Sequence, residues 1–153
     1  MISIIPFEEK YASNFKQLNI EWLLQYFAIE AYDEYQLSHP VEEIIDKCGY
    51  IFLAKENEKI TGTVTLMKEK DDSFELTKMS VTKDSQGKGV GKLLMDVCVE
   101  LAKEKRWNRL FLYSNTLLVP AIQLYRWYGF REIPLEVKSH YSRTNIKMEL
   151  KLI

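Results

Sequence analysis

A mixed α/β (α+β) fold, built on a mostly antiparallel central sheet with flanking helices, is the class this sequence predicts, and three observations carry it. Between Tyr50 and Val81, three strand-like runs are separated by polar connectors too short for a crossover, so they pair as antiparallel neighbours. After Gly89 the apolar period changes from two to that of a helix and holds through Ala102. Another strand pattern, residues 109–113, follows that helix, so a strand-helix-strand unit succeeds the run of strands.

In chain order, residues 2–5 read as a short opening strand. From about Glu8, the positions Phe15, Leu18, Trp22, Leu23, Tyr26 and Phe27 recur at three and four, as one face of a helix requires. Pro40 suits a first helical turn and opens a second, shorter helix through Val41, Ile44 and Ile45 toward Gly49. Strands follow at 50–55, 59–67 and 74–81. The stripe Val90, Leu93, Leu94, Val97, Cys98, Leu101 and Ala102, with Lys92, Glu100, Lys103 and Lys105 facing outward, predicts the long helix. A helix at 120–128 ended by Gly129 and closing strands at 130–133 and 145–152 complete the chain.

With 153 residues, 46% of them hydrophobic, the chain can bury one sizeable core. Four prolines, six glycines and no linker-like stretch make residues 1–153 a single domain. Twenty-one Lys plus Arg against 22 Asp plus Glu leave a net charge of -1, which offers no overall field for nucleic acid or an anionic membrane. Any anion site is therefore local. Cys48 and Cys98 have neither CxxC nor metal-ligand spacing, so no metal is expected and a reducing cytoplasm is the expected location. The start, MISIIPFEEK, lacks a signal-peptide pattern, and no apolar run approaches the ~20 residues of a membrane span.

The chemistry concentrates in residues 74–92, FELTKMSVTKDSQGKGVGK, where a strand ends, a glycine-rich turn follows and a helix begins. Gly87, Gly89 and Gly91 permit positive φ and close approach of a ligand, and the helix start offers unpaired N–H groups and a positive dipole end. Lys88 and Lys92 add local charge. A dinucleotide fingerprint or a P-loop starting at Gly87 would need glycine where Lys92 stands, and this spacing also speaks against a nucleotide phosphotransferase, which would bind ATP with Mg²⁺. A tight turn before a helix, with no ligand at all, is equally consistent with the three glycines alone.

Gln86-Gly87-Lys88-Gly89-Val90-Gly91 resembles the Q/R-x-x-G-x-G/A signature of the GNAT N-acetyltransferase superfamily. Pro120-Ala121-Ile122-Gln123-Leu124-Tyr125, followed by Tyr128-Gly129-Phe130, resembles that family's A-x-x-L-Y-x-x-x-G-F segment, and the two stand in the family's order. The resemblance implies a GNAT-like sheet whose strand 74–81 splays from the parallel strand 109–113. It also implies acetyl-CoA as co-substrate, with the pantetheine arm on the backbone of Met79 and Val81 and the diphosphate on Gln86, Gly87, Lys88, Gly89, Val90, Gly91 and Lys92. The acceptor is then a primary amine of a small molecule or peptide, attacking directly in a ternary complex. A non-enzymatic acyl-CoA sensor would share the same binding residues, and a homodimer is common among relatives.

Tyr125 matches the family tyrosine whose hydroxyl protonates the departing thiolate, although core packing is its competing role. Glu75 stands six residues before Val81, the spacing of the glutamate base in histone-acetylating members, and uniform strand alternation would put it on the face of Met79 and Val81. A solvated strand carboxylate is the alternative. Where many members carry an asparagine three residues before the alanine aligned at Ala121, this chain has Leu118, and Asn115 is the substitute for that hydrogen-bonding role. His39 and His140 fit surface or capping positions. The acidic, tyrosine-rich run 21–36, together with Tyr141 and Arg143, suits either a pocket for a cationic amine or ordinary helix packing.

Overall fold

The computed structural model describes residues 1–136 and 143–152. The elements are β1 (Ile2–Pro6), α1 (Ala12–Tyr26), α2 (Ala31–Ser38), β2 (Tyr50–Glu56), β3 (Lys59–Lys68), β4 (Ser73–Val81), α3 (Val90–Glu104), β5 (Arg109–Ser114), α4 (Val119–Trp127), β6 (Arg131–Ile133) and β7 (Ile146–Lys151). One seven-stranded sheet runs β1-β2-β3-β4-β5-β7-β6. Every neighbouring pair is antiparallel except β4 with β5, which the crossover helix α3 joins in parallel. This is the mixed, mostly antiparallel architecture read from the sequence, and each predicted strand lies within one or two residues of its observed bounds.

Period-two alternation divides the core between the two faces of the sheet. On β2, Ile51 and Leu53 join the cluster under α1 with Phe15, Leu18, Leu23 and Leu37, whereas Phe52 and Ala54 turn toward α3. The α3 stripe meets that second face: Leu94, Met95, Cys98 and Ala102 are fully buried. Burying each large aliphatic there contributes roughly 1.5–3 kcal/mol, which makes this helix the best-anchored in the molecule.

Two helical expectations change. The helix expected from Pro40 is a single wide turn, Val41–Ile45, in which the Asp46 N–H donates to the Val41 carbonyl. Gly49 follows it, at a place only glycine fits, since a Cβ would stand 2.7 Å from the Leu66 carbonyl and 2.8 Å from that of Ile44. A separate eight-residue helix, α2, precedes it, nucleated by a reciprocal cap in which the Glu30 N–H donates to Asp33 Oδ2 at 2.9 Å. The spacing Glu30-x-x-Asp33 was the sequence signal for it.

Two irregularities in β4 position the functional site. Its parallel pairing with β5 covers only Ser73, Phe74 and Glu75 against Arg109, Leu110 and Phe111, while β5 continues to Ser114 along β7. Against β3, Thr63 faces Ser80 and Thr65 faces Thr77, so three steps on β4 match two on β3. That is a β-bulge, and Lys78 within it takes φ +53°.

Candidate active site

Where β4 and β5 part, a cleft of about 410 Å³ opens between α1 and α2 on one side and the starts of α3 and α4 on the other. Glu75, Met79, Val81, Gln86, Gly87, Gly89, Val90, Gly91, Asn115 and Tyr125 all line it. Lys88 and Lys92 do not: Lys88 is solvent-exposed, and the Lys92 ammonium lies 4.7 Å over the Trp127 ring.

At the α3 end, Gly87 and Gly89 have φ of +80° and +84°, and a Cβ on either would meet nothing within 4 Å. Side chains there would enter open cleft, and backbone N–H groups are what the surface offers instead. Gly91 needs no positive φ, so of the three glycines it alone is not conformationally required. Val90 is buried, leaving its backbone for any ligand. The β4 edge facing β5 carries no strand partner beyond Glu75 among the described residues, though the Val81 carbonyl accepts a hydrogen bond from Gln86 Nε2 at 3.2 Å. An unpaired extended edge next to a cluster of helix-start N–H groups fits an amide-bearing chain that ends in phosphates.

The bulge overturns the alternation expected for Glu75. Phe74 and Leu76 enter the α3-side core, so Glu75 and Thr77 face α1 and α2. Uniform alternation would bring Met79 and Val81 to that face, yet both pack against the α3-side core, while the Ser80 hydroxyl donates to Asn19 of α1 at 2.9 Å. Glu75 and the residues holding the β4 edge therefore border the same cleft from opposite sides of the strand.

Tyr125 projects from α4 with its ring buried and 6.0 Å from that of Phe130. Its hydroxyl has no hydrogen-bond partner among the described residues, and burial pushes the phenol up to about 12, so it stays protonated and keeps a proton to donate. Asn115 ends β5, but its side chain is engaged locally: Nδ2 donates to the Arg143 carbonyl at 2.7 Å and Oδ1 accepts from the Leu117 N–H at 2.9 Å. Shaping the loop before α4 is what this side chain does here.

The α2 side is charged. Arg143 donates from both terminal nitrogens to Asp33, at 2.8 and 2.9 Å, and also to Glu30 Oε2 at 2.8 Å. Two carboxylates of the acidic run 21–36, Glu30 and Asp33, are thus already paired. Lys78, which sequence reasoning passed over, lines the cleft beside Glu75 and donates to Gln36 Oε1. Burial raises the Glu75 carboxyl above the carboxylate range against the pull of Lys78, and burial lowers the Lys78 ammonium against the pull of Glu75. Trp22, Tyr26 and Phe27 form an aromatic wall at the end of α1, with ring centroids 5.2 and 5.9 Å from Trp22. His39 stacks on Tyr35 at 4.5 Å and sits at the end of α2, a capping position. His140 and Tyr141 lie outside the described residues. Among those described, no group of three or more His, Cys, Asp or Glu side chains could hold a metal ion, and no helix is long and apolar enough to cross a membrane.

Comparison with known proteins agrees with this geometry. The acetyltransferase (GNAT) domain family matches residues 47–132. Human N-acetyltransferase 8B is 24% identical over 102 residues, which cover 63% of this chain and 45% of that protein, so the chain spans less than half the length of this relative. A GNAT-family acetyltransferase from Staphylococcus aureus Mu50 superposes with a TM-score of 0.90 at 22% identity, all of both chains being covered. The PaiA N-acetyltransferase of Thermoplasma acidophilum, solved in complex with coenzyme A, superposes with a TM-score of 0.78 at 17% identity over 99% of each chain.

Proposed function

Because this chain belongs to the GNAT acetyltransferase family, we propose that it moves the acetyl group of acetyl-CoA directly to a primary amine of a small molecule or peptide, in a ternary complex. The family makes it an acyltransferase. What carries the finer reading is the cleft where β4 leaves β5: a strand edge without a partner, two positive-φ glycines at a helix start, and a protonated tyrosine border one space.

In this reading the backbone of Met79 and Val81 takes the pantetheine amides, and the N–H groups of Gly87 to Gly91 take the diphosphate. An alkyl amine with pKa near ~10.4 is roughly 0.04% neutral at pH 7, so removing its proton is a substantial part of the barrier. Glu75 receives that proton directly or through water, and the burial that raises its carboxyl also strengthens it as a base. The amine nitrogen bonds to the thioester carbon, the C–S bond breaks, and the Tyr125 hydroxyl donates to the departing thiolate.

Thermal shift tests the reading. Acetyl-CoA at 100 times its Kd adds about 2.7 kcal/mol, which raises Tm by roughly 5–10 °C for a domain of this length. ATP with Mg²⁺ leaves Tm unchanged. An amine panel followed by thiol release then identifies the acceptor; equal shifts with both ligands, or none with acetyl-CoA, would reject the assignment.

A further inference from the structure

We propose that Lys78 is a positioning residue for acetyl transfer: turned toward α2 by the bulge in β4 and clamped by Gln36, its ammonium holds the Glu75 carboxylate charged at the acceptor side of the cleft. This rests on the reading of Glu75 as the base.

One hydrogen bond locates the ammonium, and two further contacts fix its partner. Lys78 Nζ donates to Gln36 Oε1, and Gln36 is fully buried. Gln36 Nε2 in turn donates to the Tyr32 hydroxyl at 2.8 Å and approaches the Met67 sulfur at 3.7 Å. Met67 is the cross-strand partner of Glu75 in the β3–β4 ladder, which puts this network on the face of the sheet that Glu75 shares. Without the bulge, residue 78 would share the face of Leu76 and enter the α3-side core.

The backbone shows that the side chain matters here. At φ +53° a glycine would be unstrained, whereas lysine pays for the left-handed conformation and for leaving water as well.

Other charged groups face Glu75, and each has its own engagement. Glu69, on the β3–β4 connection, opposes its ionisation. Lys147 of β7 favours it, but that ammonium pairs with Glu136 and lies 5.0 and 5.1 Å from the Phe111 and Tyr113 rings. Tyr32 of α2 and Tyr113 of β5 feel the Glu75 charge as neutral phenols. Asp33 and Arg143 act on Lys78 with opposite signs. Among these, Lys78 is the strongest favourable charge on Glu75.

The test is a pH titration of ¹³C-glutamate-labelled protein, with the Glu75 resonance assigned by its absence in Glu75→Gln. Lys78→Met raises the Glu75 midpoint by about one unit or more, and Lys78→Arg leaves it within about half a unit. Gln36→Leu, which removes the clamp and keeps the lysine, gives an intermediate rise and serves should Lys78→Met not fold. An unmoved midpoint in folded Lys78→Met, or in folded Gln36→Leu where that stands in, overturns the proposal, as does an equal rise in Lys78→Arg. Full activity in Glu75→Gln would instead strike the base assignment, with the midpoint shift still intact.

Discussion

Alanine at each glycine of the loop between β4 and α3 separates backbone conformation from ligand contact. Gly89 has φ +84°, and a Cβ built on it meets nothing within 4 Å, so Gly89→Ala costs only the left-handed conformation, about 1–2 kcal/mol. For a domain of this length that lowers Tm by roughly 2–8 °C. Gly91, the second residue of α3, is not in the positive-φ region, and its Cβ would lie 3.8 Å from Leu124 Cδ2, an ordinary contact. Gly91→Ala therefore leaves stability unchanged or raises it by up to about 1 kcal/mol. Binding gives the second axis: the Gly89 methyl enters the space proposed for phosphate oxygens, and the expected outcome is acetyl-CoA binding weakened at least tenfold, about 1.4 kcal/mol. Gly91→Ala binds as wild type, in keeping with the family pattern that accepts either residue there. Differential scanning fluorimetry without ligand and titration calorimetry with acetyl-CoA read the two quantities separately. Wild-type affinity in Gly89→Ala would refute the phosphate cradle, and a Gly91→Ala protein as unstable as Gly89→Ala would refute the conformational account.

Tyr125→Phe removes a hydroxyl with no partner among the described residues, so Tm stays within a few degrees and acetyl-CoA affinity is unchanged, while kcat falls at least tenfold; undiminished turnover would take Tyr125 out of the mechanism. Burial raises the folded-state value of Glu75, so its base form is lost as pH falls through a point above the ordinary carboxylate range. The kcat/KM profile of the wild type should therefore show an acidic limb above about pH 5, absent in Glu75→Gln. Arg143→Met leaves the buried Asp33 carboxylate without its bidentate partner and costs about 3 kcal/mol, a Tm loss of roughly 6–12 °C. Adding Asp33→Asn to that variant should restore part of the loss, since the asparagine oxygen can still cap α2; no recovery in urea unfolding would mean the ion pair is not what Arg143 supplies.

Local repetition was enough to read most of this chain. The strands 50–81 and the stripe of α3 declare themselves because period two and period 3.6 are properties of neighbouring residues, and the glycine turn at 87–91 declares itself because its conformation is set within a few bonds. What escaped has the opposite character. The eight-residue α2 lacks a clear apolar stripe and depends on a cap plus Arg143, a residue 110 positions from Asp33. The face on which Glu75 lies depends on one extra residue in β4, and that insertion is visible only in the ladder with β3. Asn115 and Lys92, plausible ligand contacts by position, turn to the Arg143 carbonyl and to Trp127. Sequence alone determined the strands, the helices α1, α3 and α4 and the anion-ready loop; tertiary structure decided which charges meet in the cleft, because charges distant along the chain become neighbours only when the sheet has closed.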